Sequence, residues 1–241
     1  MLSKETQLQQ GLTQLRTKLL VMGASAGIAV DEACSALQTG NVGRAIAVVD
    51  GDTAINALEN EIDEMALSLL VRNQPVAHDL RLVVGALRMV IDLERIGDEA
   101  ANIAERYVIL QETLPATIMD AIAALMETAK NAYQTALAAF KDENTQAALA
   151  IIEHDDECVQ KEVAALHCIM DYLCLENSAT QGNSSQMGMH GILICRSLNR
   201  ICRRSANIAE HVYFITKGVN IKHGPPPSGG STNDTARPIA R

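Results

Sequence analysis

A thirteen-residue segment occurs twice in this chain, and it constrains the fold more than any other feature. Residues 93–105 read LERIGDEAANIAE and residues 198–210 read LNRICRRSANIAE, with eight of the thirteen positions identical and in register. Each copy closes the third of three consecutive helical stretches. A repeat of this kind predicts two related units within one fold. The simplest arrangement is two three-helix units related by pseudo-twofold symmetry.

The composition favours helices along most of the chain. Hydrophobic residues make up 48% and aromatic residues only 2%, with no tryptophan. Alanine, leucine, glutamate and glutamine recur, whereas valine, isoleucine and threonine do not form alternating runs, which is typical of helix packing rather than sheets. Gly40, Pro75 and Pro115 separate successive stretches. The predicted helices cover residues 4–38, 42–71, 76–111, 115–140, 143–175 and 189–217.

The predicted fold class is all-α, with two tandem three-helix bundles. The first repeat covers residues 1–113 and the second covers residues 114–218. Residues 177–188 are rich in serine, asparagine, glycine and glutamine and are expected to form the loop before the last helix. Residues 219–241 have the composition of a disordered tail, because proline, glycine and polar residues dominate and few apolar residues are left to bury.

Charge and hydropathy exclude some classes of partner. The formal net charge of -9 argues against nucleic acid, because phosphate backbones attract basic surfaces. The N-terminal segment MLSKETQLQQ is polar and lacks the apolar core of a signal peptide. The longest strongly apolar stretch, residues 19–30, is shorter than the roughly 20 residues that span a bilayer. We therefore expect a cytoplasmic protein without direct membrane insertion.

The chain has six cysteines, and no two of them form a C-x-x-C pair. In a cytoplasmic helical protein we expect such residues to be small members of the core rather than disulfides or zinc ligands. Two of them, Cys195 and Cys202, are seven residues apart and share a helix face. The other four are Cys34, Cys158, Cys168 and Cys174.

Two pairs of acids lie where apolar residues would be expected. Continuing the apolar stripe of the third helix leads to Glu94 and Asp98, and the second helix has Glu59 and Asp63 at the edge of its own stripe. Short connections make these helices antiparallel neighbours, so the four carboxylates can converge. Clustered buried carboxylates are destabilising unless positive charge neutralises them. Hard metal ions, which prefer oxygen ligands, would supply that charge.

Ordinary ion pairs offer an alternative account of the same acids. The pattern E-x-x-x-D is weak by itself, and Arg72, Arg81 or Arg95 would serve as partners. The sequence contains no E-x-x-H motif of di-iron bundles and no G-x-x-x-x-G-K-[ST]. The sequence therefore lacks motifs that commonly identify such enzymes, and neither catalytic nor cofactor-binding residues are predicted.

Residues 72–105 resemble the signature of the PhoU family, in which a Q-P-x-x-x-D-L-R segment leads into E-R-I-G-D. Residues 48–63 resemble the preceding helix of that family, and residues 194–218 resemble its C-terminal repeat. The resemblance implies two three-helix bundles in a cytoplasmic homodimer. It also implies a negative regulator of phosphate uptake and of the phosphate-starvation response, whose partners are the phosphate ABC transporter and its sensor histidine kinase.

The resemblance further implies iron or zinc, or another divalent metal, at the E/D-x-x-x-D motifs. In this sequence the matching positions are Glu59, Asp63, Glu94 and Asp98. The second repeat departs from the pattern, because Asn199 and Arg203 occupy the two acidic positions of E-R-I-G-D. Metal is therefore expected at the first repeat only.

At the second repeat we expect Arg203 to pair with Asp156 on the fifth predicted helix, as an ion pair in place of a metal. Two other functions remain open for the chain as a whole, a metal-dependent helical-bundle enzyme and a divergent scaffold paralogue.

Overall fold

The structure, a computed structural model, describes residues 4–175 and 181–221, and every regular element in these ranges is an α-helix. The predicted all-α class is confirmed. The described helices are α1 Lys4–Thr39, α2 Val42–Asn73, α3 Ala77–Leu110, α4 Ala116–Asp142, α5 Thr145–Glu153, α6 Asp155–Leu175 and α7 Gln181–Lys217.

The first repeat consists of α1, α2 and α3, joined by short turns. Gly40 ends the first turn with a φ of 70°, a left-handed conformation that suits glycine. Asn41 then caps α2, because its side-chain oxygen accepts a hydrogen bond from the backbone N–H of Arg44. These local signals end α1 and begin α2, and the two helices pack against each other.

The second repeat consists of α4, α5, α6 and α7. The fifth predicted helix is in fact two helices, because the chain turns at His154 between α5 and α6. The backbone N–H of His154 bonds to the carbonyls of Ala150 and Ile151, which closes α5. In the first repeat, α2 runs through the corresponding region without interruption. The two repeats therefore differ most in their middle helix.

The repeats pack against each other through α3 with α7 and α1 with α4. Glycine allows close approach at both contacts. A Cβ atom placed on Gly85 of α3 would lie 2.4 Å from Ile215 of α7, and one on Gly23 of α1 would lie 2.5 Å from Leu137 of α4. One continuous apolar core results, in which α3 and α7 are central.

Two predicted boundaries are changed by the structure. The loop expected over residues 177–188 is helical from Gln181 onward, while residues 176–180 lie outside the described residues. Of the tail expected over residues 219–241, only residues 219–221 are described; they are not helical, and Ile221 is buried.

The buried face of α3 is rotated from the stripe that the sequence suggested. Leu80 and Ile91 are apolar residues of that stripe, yet they are 39% and 46% exposed. The buried line instead follows residues 83, 86, 90, 93 and 97, which pack between α1, α2 and α7. Glu94 and Asp98 consequently lie half-buried at the edge of this line and not at its centre.

The expectation that the cysteines are core residues without disulfides is wrong for one pair, and it is also wrong for Cys168, which is half-buried, and Cys174, which is exposed. Cys158 on α6 and Cys202 on α7 form a disulfide, although they are far apart in sequence. Cys34 and Cys195 are buried free thiols, as expected. A pairing between different helices depends on how those helices pack, which the spacing of the cysteines did not reveal.

Helix α1 is long and apolar enough to cross a membrane by length and composition alone. An 18-residue window within this helix meets the test, and this window is longer than the apolar stretch of residues 19–30 found in the sequence. Its apolar side is however occupied within the bundle, where Leu15, Leu19 and Met22 are fully buried. A core helix of a helical bundle passes the same test, so this feature is weak support for membrane insertion.

Candidate acidic site and the Asp92 network

The predicted acids are brought to one face of the α2–α3 pair. Glu59 and Asp63 lie one turn apart on α2, and Glu94 and Asp98 lie one turn apart on α3. All four are half-buried. Glu94 interacts with both Asp98 and Glu59, so the two helices contribute to a single charged cluster, which we call the acidic site.

Partial burial and repulsion between neighbouring carboxylates raise the pKa of three acids of the acidic site. Partial burial, followed by the charges of Asp98 and Glu59, raises the pKa of Glu94 to about 7. Burial and the neighbouring Asp52 raise the pKa of Asp98. Burial, Asp63 and Asp98 raise the pKa of Glu59. Glu94 is therefore protonated more readily near neutral pH than an ordinary glutamate.

Three further residues of this region were missed by the sequence reading. The buried oxygens Asp52 Oδ1, Asn56 Oδ1 and Glu99 Oε2 have no hydrogen-bond partner. Asn56 donates to the other carboxylate oxygen of Asp52 at 3.2 Å. Residues 52, 56, 59 and 63 follow one helix face, so the spacing along α2 contained the signal. The acidic site is thus longer than predicted.

The donor chemistry of the acidic site fits a hard cation, because its free groups are oxygens whose charges repel one another. In the present side-chain positions, no three histidine, cysteine, aspartate or glutamate side chains of the described residues are close enough to hold a metal ion together. A bound ion would therefore require side-chain rotation at Glu59, Asp63, Glu94 or Asp98.

Changing Glu94 to Gln should stabilise the protein at about pH 8 by about 0.5–1 kcal/mol, a value reduced for solvent screening. The pKa of Glu94 is raised from 4.5 to about 7 on folding. The folded state thus binds more protons between those values, and its stability falls as pH rises through them. Urea unfolding from about pH 5 to 8 measures this slope, which the variant should flatten.

Glu105→Gln is the matched control, because Glu105 is exposed on the same helix. It removes the same charge without touching the acidic site, so the slope should remain. An unchanged slope in Glu94→Gln would show that folding does not raise the pKa of Glu94.

In the second repeat, a hydrogen bond between α6 and α7 lies at the position that corresponds to the acidic site. Asn199, which replaces the first acid of the motif, donates to Glu162 on α6. The predicted ion pair is wrong: Arg203 and Asp156 are both exposed, and within the described ranges they do not pair. The core face of α6 passes through Cys158, whereas Val159 is exposed.

The most deeply buried charge of the described residues was not found in the sequence. Asp92 on α3 is only 4% exposed. Its Oδ1 accepts hydrogen bonds from Arg204 and Asn207 of α7, both at 3.0 Å, and its Oδ2 lies 3.0 Å from Nε2 of His211. Burial alone would raise the pKa of Asp92, but these hydrogen bonds outweigh it and lower the pKa. The Asp92 network therefore joins the two repeats.

Comparison with known proteins agrees with this architecture. The family model described as PhoU domain matches the chain twice, over residues 19–107 and 122–212. These two matches coincide with the two helical repeats. The chain belongs to the PhoU family.

Relatives and solved structures of the PhoU family cover most of the chain. The phosphate-specific transport system accessory protein PhoU homolog of Pseudomonas putida is 33% identical, over 88% of this chain and 81% of that protein. The homolog of Pseudomonas aeruginosa is also 33% identical, over 88% and 86%. The crystal structure of PhoU from Pseudomonas aeruginosa has a TM-score of 0.82 at 32% identity, over 88% of this chain and 99% of that chain.

A more distant structure supports the fold alone. The phosphate transport system regulatory protein PhoU from Streptococcus pneumoniae has a TM-score of 0.78 at 23% identity, over 89% of this chain and 99% of that chain. The PhoU fold, with its two tandem bundles, is therefore the fold of this chain.

Proposed function

We propose that this chain is a cytoplasmic accessory protein of phosphate-specific transport that restrains phosphate uptake and the phosphate-starvation response. The observation that carries the proposal is the match, over 88% of the chain, to relatives named as accessory proteins of that transport system. The family match in both repeats supports it, because the whole two-bundle body is retained. The partners proposed are the phosphate ABC transporter and the sensor histidine kinase, and the protein acts as a homodimer.

The proposed mode of action is docking rather than catalysis. The acidic site presents a line of carboxylates on α2 and α3, and such a surface attracts a basic partner surface. The long helices α2 and α3 keep these carboxylates in fixed relative positions. A change in the partner's conformation would therefore alter its contacts with all of them together. A row of carboxylates without an activated nucleophile suits an adaptor that docks onto partners better than it suits an enzyme.

Deletion of the protein should derepress alkaline phosphatase in phosphate-rich medium. We expect an increase of at least about tenfold over the parent strain, since a tenfold change corresponds to the loss of only about 1.4 kcal/mol of repressing interaction. Phosphate uptake should rise in the same cells, and plasmid-borne protein should restore repression. Unchanged phosphatase and uptake in the deletion strain would contradict the proposal.

The first repeat is also proposed to hold iron, zinc or another divalent metal through Glu59, Asp63, Glu94 and Asp98. The raised pKa values of Glu59, Glu94 and Asp98 support this, because a cation would relieve their repulsion. Such an ion would supply fixed positive charge to the acidic site.

Elemental analysis of protein purified without chelator should detect metal that Glu94→Gln with Asp98→Asn removes, while the Glu105→Gln control retains it. Equal metal content in the double variant and the control would contradict this site.

A further inference from the structure

Two surface pockets, one in each repeat, occupy matching places in the fold. The first-repeat pocket lies between α1 and α2 and has a volume of about 650 Å³. The second-repeat pocket lies between α4, α5 and α6, reaches α7, and has a volume of about 310 Å³. Nine of the twelve lining positions of each pocket correspond at an offset of 103 residues, as in Ile28 and Asn131, Ala47 and Ala150, and Ile55 and Cys158. The two pockets are therefore equivalent places in the two repeats.

The inner walls of the two pockets differ in chemistry. In the first repeat, Ile55 of α2 packs against Gly97 of α3, where an added Cβ would lie 2.8 Å from Cδ1 of Ile55. In the second repeat the corresponding residues are Cys158 and Cys202, which form the disulfide. The same helix contact is thus apolar in one repeat and covalent in the other, so the fold itself does not require a covalent link there.

The second-repeat pocket provides the route to this disulfide. Cys158 and Cys202 both line the pocket. They are only 2% and 3% exposed, so a reagent must enter the pocket to reach either sulfur. Lys161 lines the same pocket one turn after Cys158, with its Nζ 2.8 Å from Glu157 and 2.6 Å from Thr128.

We propose that Cys158–Cys202 is a reversible thiol–disulfide site, reached by dithiol reductants through the second-repeat pocket. A thiolate of the dithiol attacks one sulfur, which forms a mixed disulfide and releases the other cysteine as a thiolate. The second thiol of the reductant then attacks the mixed disulfide. The reductant leaves as its own disulfide, and the two cysteines take up two electrons and two protons in all.

The expected consequence of reduction is a looser α6. Among the α6 residues whose side chains are described, only Cys158, Ala165 and Ile169 are buried. The disulfide and the hydrogen bond from Asn199 to Glu162 both join α6 to α7. Breaking the disulfide changes the accessible surface of the second repeat and leaves the acidic site of the first repeat in place.

The test measures the rate at which dithiothreitol reduces the folded protein, with alkylation of the released thiols read by mass spectrometry. The full-length wild type should lose the Cys158–Cys202 bond faster than it unfolds globally. Ala150→Phe should slow reduction about tenfold, because the aromatic ring fills the pocket through which the thiol approaches. The matched control is Ala47→Phe at the equivalent position of the first-repeat pocket, and it should leave the rate unchanged.

Hydrogen exchange provides a second measurement. Reduction should increase exchange in α6 but not in α2. Reoxidation by oxidised glutathione should re-form the bond and restore protection. Three results would each overturn the proposal: reduction only at the rate of global unfolding, equal slowing in both phenylalanine variants, or thiols that oxidised glutathione does not join in the folded protein.

Discussion

Replacing Asp92 by alanine is expected to lower the free energy of unfolding by about 3–5 kcal/mol, the usual loss when one partner of a buried charge network is removed. Asp92 is 4% exposed and receives hydrogen bonds from Arg204 and Asn207, with His211 at 3.0 Å. Alanine leaves these donors facing one another across the α3–α7 contact without an acceptor. Urea unfolding at about pH 7 measures the change.

The pH dependence of this loss has a definite sign. The pKa of Asp92 is lowered in the folded protein, so the unfolded state binds more protons as the pH falls. The stabilising contribution of Asp92 is present above its unfolded pKa and disappears as pH falls through its folded pKa. The difference between the wild type and Asp92→Ala should therefore shrink in acid.

Asp171→Ala is the control for this prediction. Asp171 is exposed on α6, so its loss should change stability by no more than about 0.5 kcal/mol. Losses of similar size in the two variants would mean that the Asp92 network does not hold the repeats together.

Local sequence signals predicted much of the fold. The similarity between residues 93–105 and residues 198–210 identified the two units, and the glycine and proline positions identified most helix ends. The break at His154 was missed because the segment EHDDE contains neither glycine nor proline. In the structure, hydrogen bonds from His154 back to α5 close that helix, including one from the ring Nδ1 to the carbonyl of Ala150 at 2.7 Å. Such a cap is not encoded by a strong local motif.

The site was predicted only in part, because burial depends on partners distant in sequence. The spacing of acids on α2 and α3 placed them together correctly, since neighbouring antiparallel helices share a face. Asp92 was missed because its hydrogen-bond partners lie on α7, more than 110 residues later. The disulfide was missed for the same reason. A helical wheel describes one helix, and it contains no information on which face meets a helix from the other repeat.

Loss of the disulfide should be the second large effect on stability. Under oxidising conditions, the double variant Cys158→Ala with Cys202→Ala should lose about 4 kcal/mol of unfolding free energy, because the bond closes a loop of 44 residues and restricts the unfolded chain. Under reducing conditions the wild type has no such bond. The two proteins should then differ only by the small packing loss of two buried thiols.

Cys34→Ala is the matched control, because Cys34 is a buried free thiol on α1. It should cost about 1 kcal/mol in both conditions, since it removes a buried sulfur without opening a loop. The disulfide effect is therefore identified by its dependence on redox conditions and not by its size alone. A double variant as stable as the wild type under oxidising conditions would show that the bond adds nothing to the fold. A loss that persists unchanged in reductant would assign the effect to packing around α6.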